Sequence, residues 1–165
     1  MLEGAAVPLW LVRESEAQAG QHLLAAMRGF ASDFQILHWV SRLAAGWYTH
    51  VTFMPLSSAP APDLEHFLHP NHHPTDEHIR QGVADLRGQG IAAWLKYGAG
   101  HSVAELVATL RQQPCAVLVL AAEGFGEFVL SVLEALDRET GPTAAAVLIL
   151  KPPISWDKQL LITNY

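Results

Sequence analysis

The sequence predicts the α/β class: an open, mostly parallel five-stranded sheet with helices on both faces, and one extra strand near the N-terminus. Two observations carry this. Short, uninterrupted apolar runs recur along the chain, the pattern of strands buried on both faces. Between them lie amphipathic stretches of helical length, so strand and helix alternate from residue 22 to residue 150, as right-handed parallel crossovers require.

The apolar runs are VPLWLV at 7–12, HLLAAM at 22–27, THVTFMPL at 49–56, AVLVLAA at 116–122 and AAAVLIL at 144–150, with IAAWLKY at 91–97 as a weaker sixth. The first helix is announced by Ser32, followed three residues later by Gln35 as a capping box, with Ile36, Leu37, Val40, Leu43 and Ala44 on one face and Gly46 as its stop. A second helix is expected from near Thr75 to about Leu86, before Gly88 and Gly90. The third starts at the cap Ser102, has Glu105 in the capping-box position, turns Val103, Leu106, Val107 and Leu110 inward, and ends at Pro114. The fourth, EFVLSVLEALDRE at 127–139, closes before Gly141 and Pro142. The connection at 57–74, SSAPAPDLEHFLHPNHHP, has no period and reads as an irregular excursion; loops of that length in a compact domain are usually functional or mobile.

Composition narrows the function classes. A chain of 165 residues, half of them apolar, supports one domain with a real core. With 16% charged residues and a net charge of −6, it offers no basic face for phosphate backbones, so nucleic acid is not an expected partner. The longest wholly apolar stretches, Ala116 to Ala122 and Ala144 to Leu150, are seven residues each, against the roughly 20 needed to span a bilayer. No internal disulfide is possible with the single Cys115, and no secretory leader is evident, so a cytoplasmic setting is the expectation.

The order of parts resembles the universal stress protein family. The likeness runs from about 21 to 151 and rests on the capped helix ending in SRLAAG, the strand THVTFMPL, and the segment GIAAWLKYGAGHSVAELVATLRQQPCAVLVLAAEG. It implies a domain at 21–151, preceded by an extra strand and linker at 1–20 and followed by a tail at 152–165. Residues 7–12 read either as the last strand of a preceding domain or as a strand added to this domain's own sheet. Homodimerisation is implied through the last strand, Ala144 to Leu150, or through the N-terminal strand, because an apolar edge needs cover.

The resemblance also implies a ligand crevice, since open parallel sheets bind at the carboxyl ends of their strands where the chain order reverses. Members that bind ATP are similar in an aspartate just after the first strand of the domain and a glycine pattern after its fourth: Gly, two residues, Gly, nine residues, then Gly with Ser or Thr. Here Arg28 stands in the aspartate's place, followed by Gly29. Gly124 and Gly126 are only two apart, Glu123 and Glu127 would oppose a triphosphate, and the next glycine, Gly141, is followed by Pro142. The expectation is that the ATP site is lost and that the module is non-enzymatic. The alternative keeps ATP or AMP in an altered crevice formed by Arg28, Gly29, Gly124 and Gly126.

Further residues invite a chemical reading of their own. His66, His69, His72, His73 and His78 fall within thirteen residues alongside Asp76 and Glu77, a composition that can attract a transition metal, but prolines interrupt it and no cysteine helps; no metal site is expected, and a metal-binding protein acting through this loop stays as a further alternative function. Cys115 heads an apolar strand with no neighbouring base and is expected to pack in the core. Trp10, Trp39, Trp47, Trp94 and Trp156 read as core or interface anchors. No nucleophile elbow, no Walker phosphate loop and no dinucleotide fingerprint is present.

Overall fold

The structure is a computed structural model that describes residues 8–13, 20–28, 32–56, 74–96, 103–122, 126–141 and 143–151. Its elements in chain order are β1 (Leu9–Val12), β2 (His22–Met27), α1 (Ser32–Trp47), β3 (His50–Pro55), α2 (Pro74–Gly88), β4 (Ala92–Leu95), α3 (Val103–Gln112), β5 (Cys115–Ala121), α4 (Glu127–Asp137) and β6 (Ala144–Leu150). They form one six-stranded sheet in the order β1-β6-β5-β2-β3-β4. Every neighbouring pair is parallel except β1 with β6, which is antiparallel. The sixth apolar run, IAAWLKY, is therefore a true strand, shortened to four residues at the sheet edge.

Why the strands lack alternation is visible in β2. Leu23, Ala25 and Met27 enter the core beneath α1 and α2, with Ile36, Val40, Phe53, Ile79 and Leu86. Leu24 and Ala26 point the other way, into the core beneath α3 and α4, with Met54, Leu106, Leu110, Val132 and Leu136. A strand buried on both faces has no position at which a polar residue would be solvated. The expected inward faces of the helices hold: Ile36, Val40 and Ala44 are buried in α1, and Leu106, Val107 and Leu110 in α3, with Leu37, Leu43 and Val103 on the flanks.

Two local expectations are corrected. The reciprocal half of the first capping box does not form, because Gln35 Oε1 is buried without a hydrogen-bond partner; the neighbouring Asp33 carboxylate accepts instead from the Arg28 N–H at the end of β2. Gly46 does not stop α1, which runs one residue further. Gly82 has a packing reason: a Cβ there would lie 2.5 Å from Leu37 Cδ2, so its bareness lets α1 and α2 approach closely. Among the described residues, no helix is long and apolar enough to cross a membrane.

The last strand does not offer a free edge. Its outer side is taken by β1 of the same chain, with Leu9 opposite Ile149 and Val12 opposite Ala146. Of the two readings of residues 7–12, the structure takes the added strand of this domain's own sheet.

Candidate functional site

The sheet order reverses between β2 and β5: the chain leaves β2 toward β3 and β4, and leaves β5 toward β6. The two strands are parallel neighbours, and the carboxyl ends of such a pair, here next to the α1 and α4 starts, are where sheets of this class form a crevice. What fills that crevice rim follows from three short segments.

The first is the exit from β2. The backbone N–H of Arg28 donates to Asp33 Oδ1 at 3.1 Å, tying the strand end to the first turn of α1. Asp33 is wholly buried, yet it sits where the helix dipole favours a negative charge. Its other oxygen, Oδ2, is 3.2 Å from His78 Nε2 near the start of α2. Since a carboxylate only accepts, Nε2 carries the proton and Nδ1 is left as the other ring position. Phe34 stacks on the His78 ring with centroids 4.9 Å apart, so the imidazole is held from one edge and one face.

The second segment is the start of α4. Gly126 is the cap residue, in the left-handed region with φ 74°, and having no side chain it makes no side-chain cap to the first N–H groups of the helix. A glycine suits that φ because other residues are strained there. Glu127 follows in the first turn and is exposed.

The third is a bridge between the two. The Arg28 guanidinium lies over the Phe128 ring, 4.5 Å from its centroid, and so reaches from the end of β2 to the first turn of α4. An arginine on an aromatic face is held electrostatically by the ring quadrupole, an interaction of roughly 0.5–2 kcal/mol depending on desolvation.

Of the residues expected at the site, Arg28 and Gly126 stand at this rim, one on each side. Gly29, Gly124 and Glu123 lie outside the described residues, as do His66, His69, His72 and His73. His78 is the member of the histidine cluster whose side chain is described, and it is committed to Asp33. Among the described residues, no three His, Cys, Asp or Glu side chains are grouped as a metal would need. Asp33, Phe34 and Phe128 were missed by sequence reasoning. A carboxylate does stand at the end of β2, but it comes from five residues further along and is turned into the chain.

At the opposite end of the sheet, His22 is buried at the start of β2. Its Nε2 is 2.9 Å from Thr52 Oγ1 and its Nδ1 3.4 Å from the Pro114 carbonyl. A carbonyl accepts only, so Nδ1 carries the proton and Nε2 accepts from the threonine hydroxyl. Burial, with a smaller contribution from nearby His50, holds this imidazole below its usual value against the opposing pull of the carbonyl. Cys115 is fully buried and its thiol is pushed up to about 12, chiefly by burial, so it is a core residue as expected. A shallow groove between α3 and α4, with Val107, Ala104 and Ala135 on its walls, is edged by the ion pair of Arg111 with Glu139.

An open, mostly parallel sheet with a strand-order reversal defines the doubly wound α/β class. Within that class the fold is that of the universal stress proteins. The structure of the universal stress protein from Archaeoglobus fulgidus superimposes with a TM-score of 0.52 at 13% identity, covering 80% of this chain and 94% of that one. A universal stress protein family member from Burkholderia pseudomallei gives a TM-score of 0.46 at 17% identity, over 84% of this chain and 99% of that one. No protein-family model and no curated protein matches the sequence.

Proposed function

We propose that the chain is a non-enzymatic, dimeric regulatory module of the universal stress protein type in which the family's ATP site has not been kept. The observation that carries this reading is the Arg28–Phe128 bridge. Where the resemblance implies a free carboxylate after the first strand of the domain, the chain places a cation and lays it on the first turn of α4. The carboxylate bonded at the end of β2, Asp33, is buried and engaged by Arg28 N–H and His78. Neither group is left to select a nucleotide base, and Glu127 adds a negative charge at the start of α4.

The test is thermal denaturation of the metal-free protein with and without millimolar ATP, AMP or a cyclic dinucleotide. A ligand present at a hundred times its dissociation constant adds about 2.7 kcal/mol. No upward shift with any of them is the expected result. A clear shift with one would overturn the loss of the site.

One observation favours a second reading, an adenine-nucleotide switch in an altered crevice. α4 begins at a left-handed glycine with no side-chain cap, and the Arg28 cation lies against that same turn. Phosphate is favoured by such a combination. On this reading Arg28, Gly29, Gly124 and Gly126 form the crevice, and Arg28→Ala abolishes whatever thermal shift the nucleotide gives.

A further inference from the structure

The N-terminal strand covers the edge of β6 and is itself the edge strand among the described residues. Three of its four residues are large, apolar and exposed: Leu9 at 54%, Trp10 at 42% and Val12 at 77%. Edge strands ordinarily carry a charge or a bulge that discourages pairing. Between Pro8 and Val12 there is no charged residue. The charge of Arg13 is drawn away, its guanidinium donating to Thr143 Oγ1 at 2.9 Å and to the Leu136 carbonyl at 2.7 Å.

The hydrogen-bond phase of this edge follows from the ladder. Arg13 N–H donates to the Ala145 carbonyl at 2.9 Å, which makes that pair a hydrogen-bonded one. Antiparallel pairs alternate, so Leu11 with Val147 and Leu9 with Ile149 also bond inward. Trp10 and Val12 therefore direct their N–H and C=O groups away from β6, at an edge that no other described strand pairs.

We propose that this edge pairs with the same edge of a second copy, β1 against β1, antiparallel about a two-fold axis at Leu11. This rests on the dimeric part of the function proposed above and gives it an interface. Trp10 then lies opposite the partner's Val12, and Val12 opposite the partner's Trp10. In that register all four outward groups of each copy are satisfied. The register that sets Trp10 against its own counterpart places Val12 opposite Pro8, which has no N–H to give. Setting Val12 against its own counterpart places Trp10 opposite Glu14. The strand is thus self-complementary in one register, and with no charge on it nothing repels the second copy. Trp10 and Val12 share the sheet face on which Ala146 and Leu148 lie, so pairing also covers their exposed side chains. Two six-stranded sheets become one continuous sheet.

The experiment is sedimentation velocity across micromolar concentrations on the wild-type chain, Val12→Pro, Leu11→Cys and Leu9→Cys. Val12→Pro removes an outward N–H while leaving the β1–β6 ladder intact, and its circular dichroism and melting should match wild type. It is expected to weaken dimerisation by about tenfold or more. In the proposed register Leu11 meets the partner's Leu11 as a non-hydrogen-bonded pair, with Cα atoms about 4.5 Å apart, within reach of a disulfide. Under oxidation Leu11→Cys gives a covalent dimer, whereas Leu9→Cys, more exposed but set against the partner's Arg13, does not. Native Cys115 is buried and does not compete. A dimer undisturbed by Val12→Pro, with no cross-link at position 11 or equal cross-linking at position 9, overturns the edge assignment and leaves the dimeric reading standing. A wild-type chain that stays monomeric throughout overturns both, and points the edge toward an extended segment of another protein.

Discussion

Replacing Asp33 by alanine takes an acceptor from the Arg28 N–H and from His78 Nε2 at once. The energetic consequence follows from burial. Asp33 is 0% exposed, so water does not step in as a substitute acceptor without rearrangement. A buried donor left unsatisfied costs about 1–3 kcal/mol. Losing the acid from the first turn of α1 adds about 0.3–1 kcal/mol. Asp33→Ala is therefore expected to destabilise by about 2–3 kcal/mol, seen in urea unfolding as a lower midpoint with an unchanged slope. For a chain of this size that corresponds to a loss of roughly 5–10 °C in Tm. Asp33→Asn separates the two roles, because its side-chain oxygen still serves Arg28 N–H while the charge toward His78 is gone; its cost should be no more than about half as large. A double-mutant cycle with His78→Ala should return a coupling of at least about 0.5 kcal/mol. If Asp33→Ala lies within about 0.5 kcal/mol of wild type, the carboxylate is not what ties β2 to α1 and α2, and the account of the crevice rim is wrong.

Two further outcomes follow from the lower end of the sheet and from the core. His22 is held neutral below its usual value, so the unfolded chain binds the extra proton first as the solution is acidified. The sign is fixed by linkage: the stability His22 contributes is complete above about pH 6.5, its unfolded value, and is lost as the pH falls below it. Chemical denaturation between pH 8 and pH 5 should show this loss, about pH 6.5 downward, and His22→Gln should flatten that part of the profile. A profile unchanged by the substitution would show that another group sets it. Cys115, buried with its thiol pushed up to about 12, should be silent toward a thiol-specific reagent at neutral pH in the folded protein and react fully once denaturant unfolds it.

The sequence carried the fold for a physical reason. Strands buried on both faces leave continuous apolar runs, and each of the five stronger runs coincides with an observed strand whose ends lie within two residues of the expected ones. The rim was less legible. Asp33 follows the capping residue Ser32 and reads as an ordinary first-turn acid, and His78 reads as the last member of a histidine-rich loop. Their pairing depends on α1 and α2 lying side by side, across 45 residues of chain that no local period encodes. Arg28 was visible as the residue in the aspartate's place, but its aromatic partner is one hundred residues away, and Phe128 in its own context is merely an apolar residue at a helix start.

Strand β1 shows a different limit. Consecutive strands are spatial neighbours about two times in three, which would have set VPLWLV beside HLLAAM. Instead it crosses to the far edge, three positions from β2, and runs antiparallel to the strand that ends the domain. Arg13 explains how it is held there, since one side chain ties β1 to the last turn of α4 and to the residue that leads into β6. The apolar character of β1 does not disappear in this arrangement. Leu11 is spent on the core beneath α4, while Trp10 and Val12 remain exposed on the other face with their backbone groups turned outward. Capping β6 has moved the unpaired edge one strand outward, onto a segment with no charge to guard it. A chain that only needed to silence its last strand could have done so with a polar one, and the retention of four apolar residues at that edge is what points to a second use.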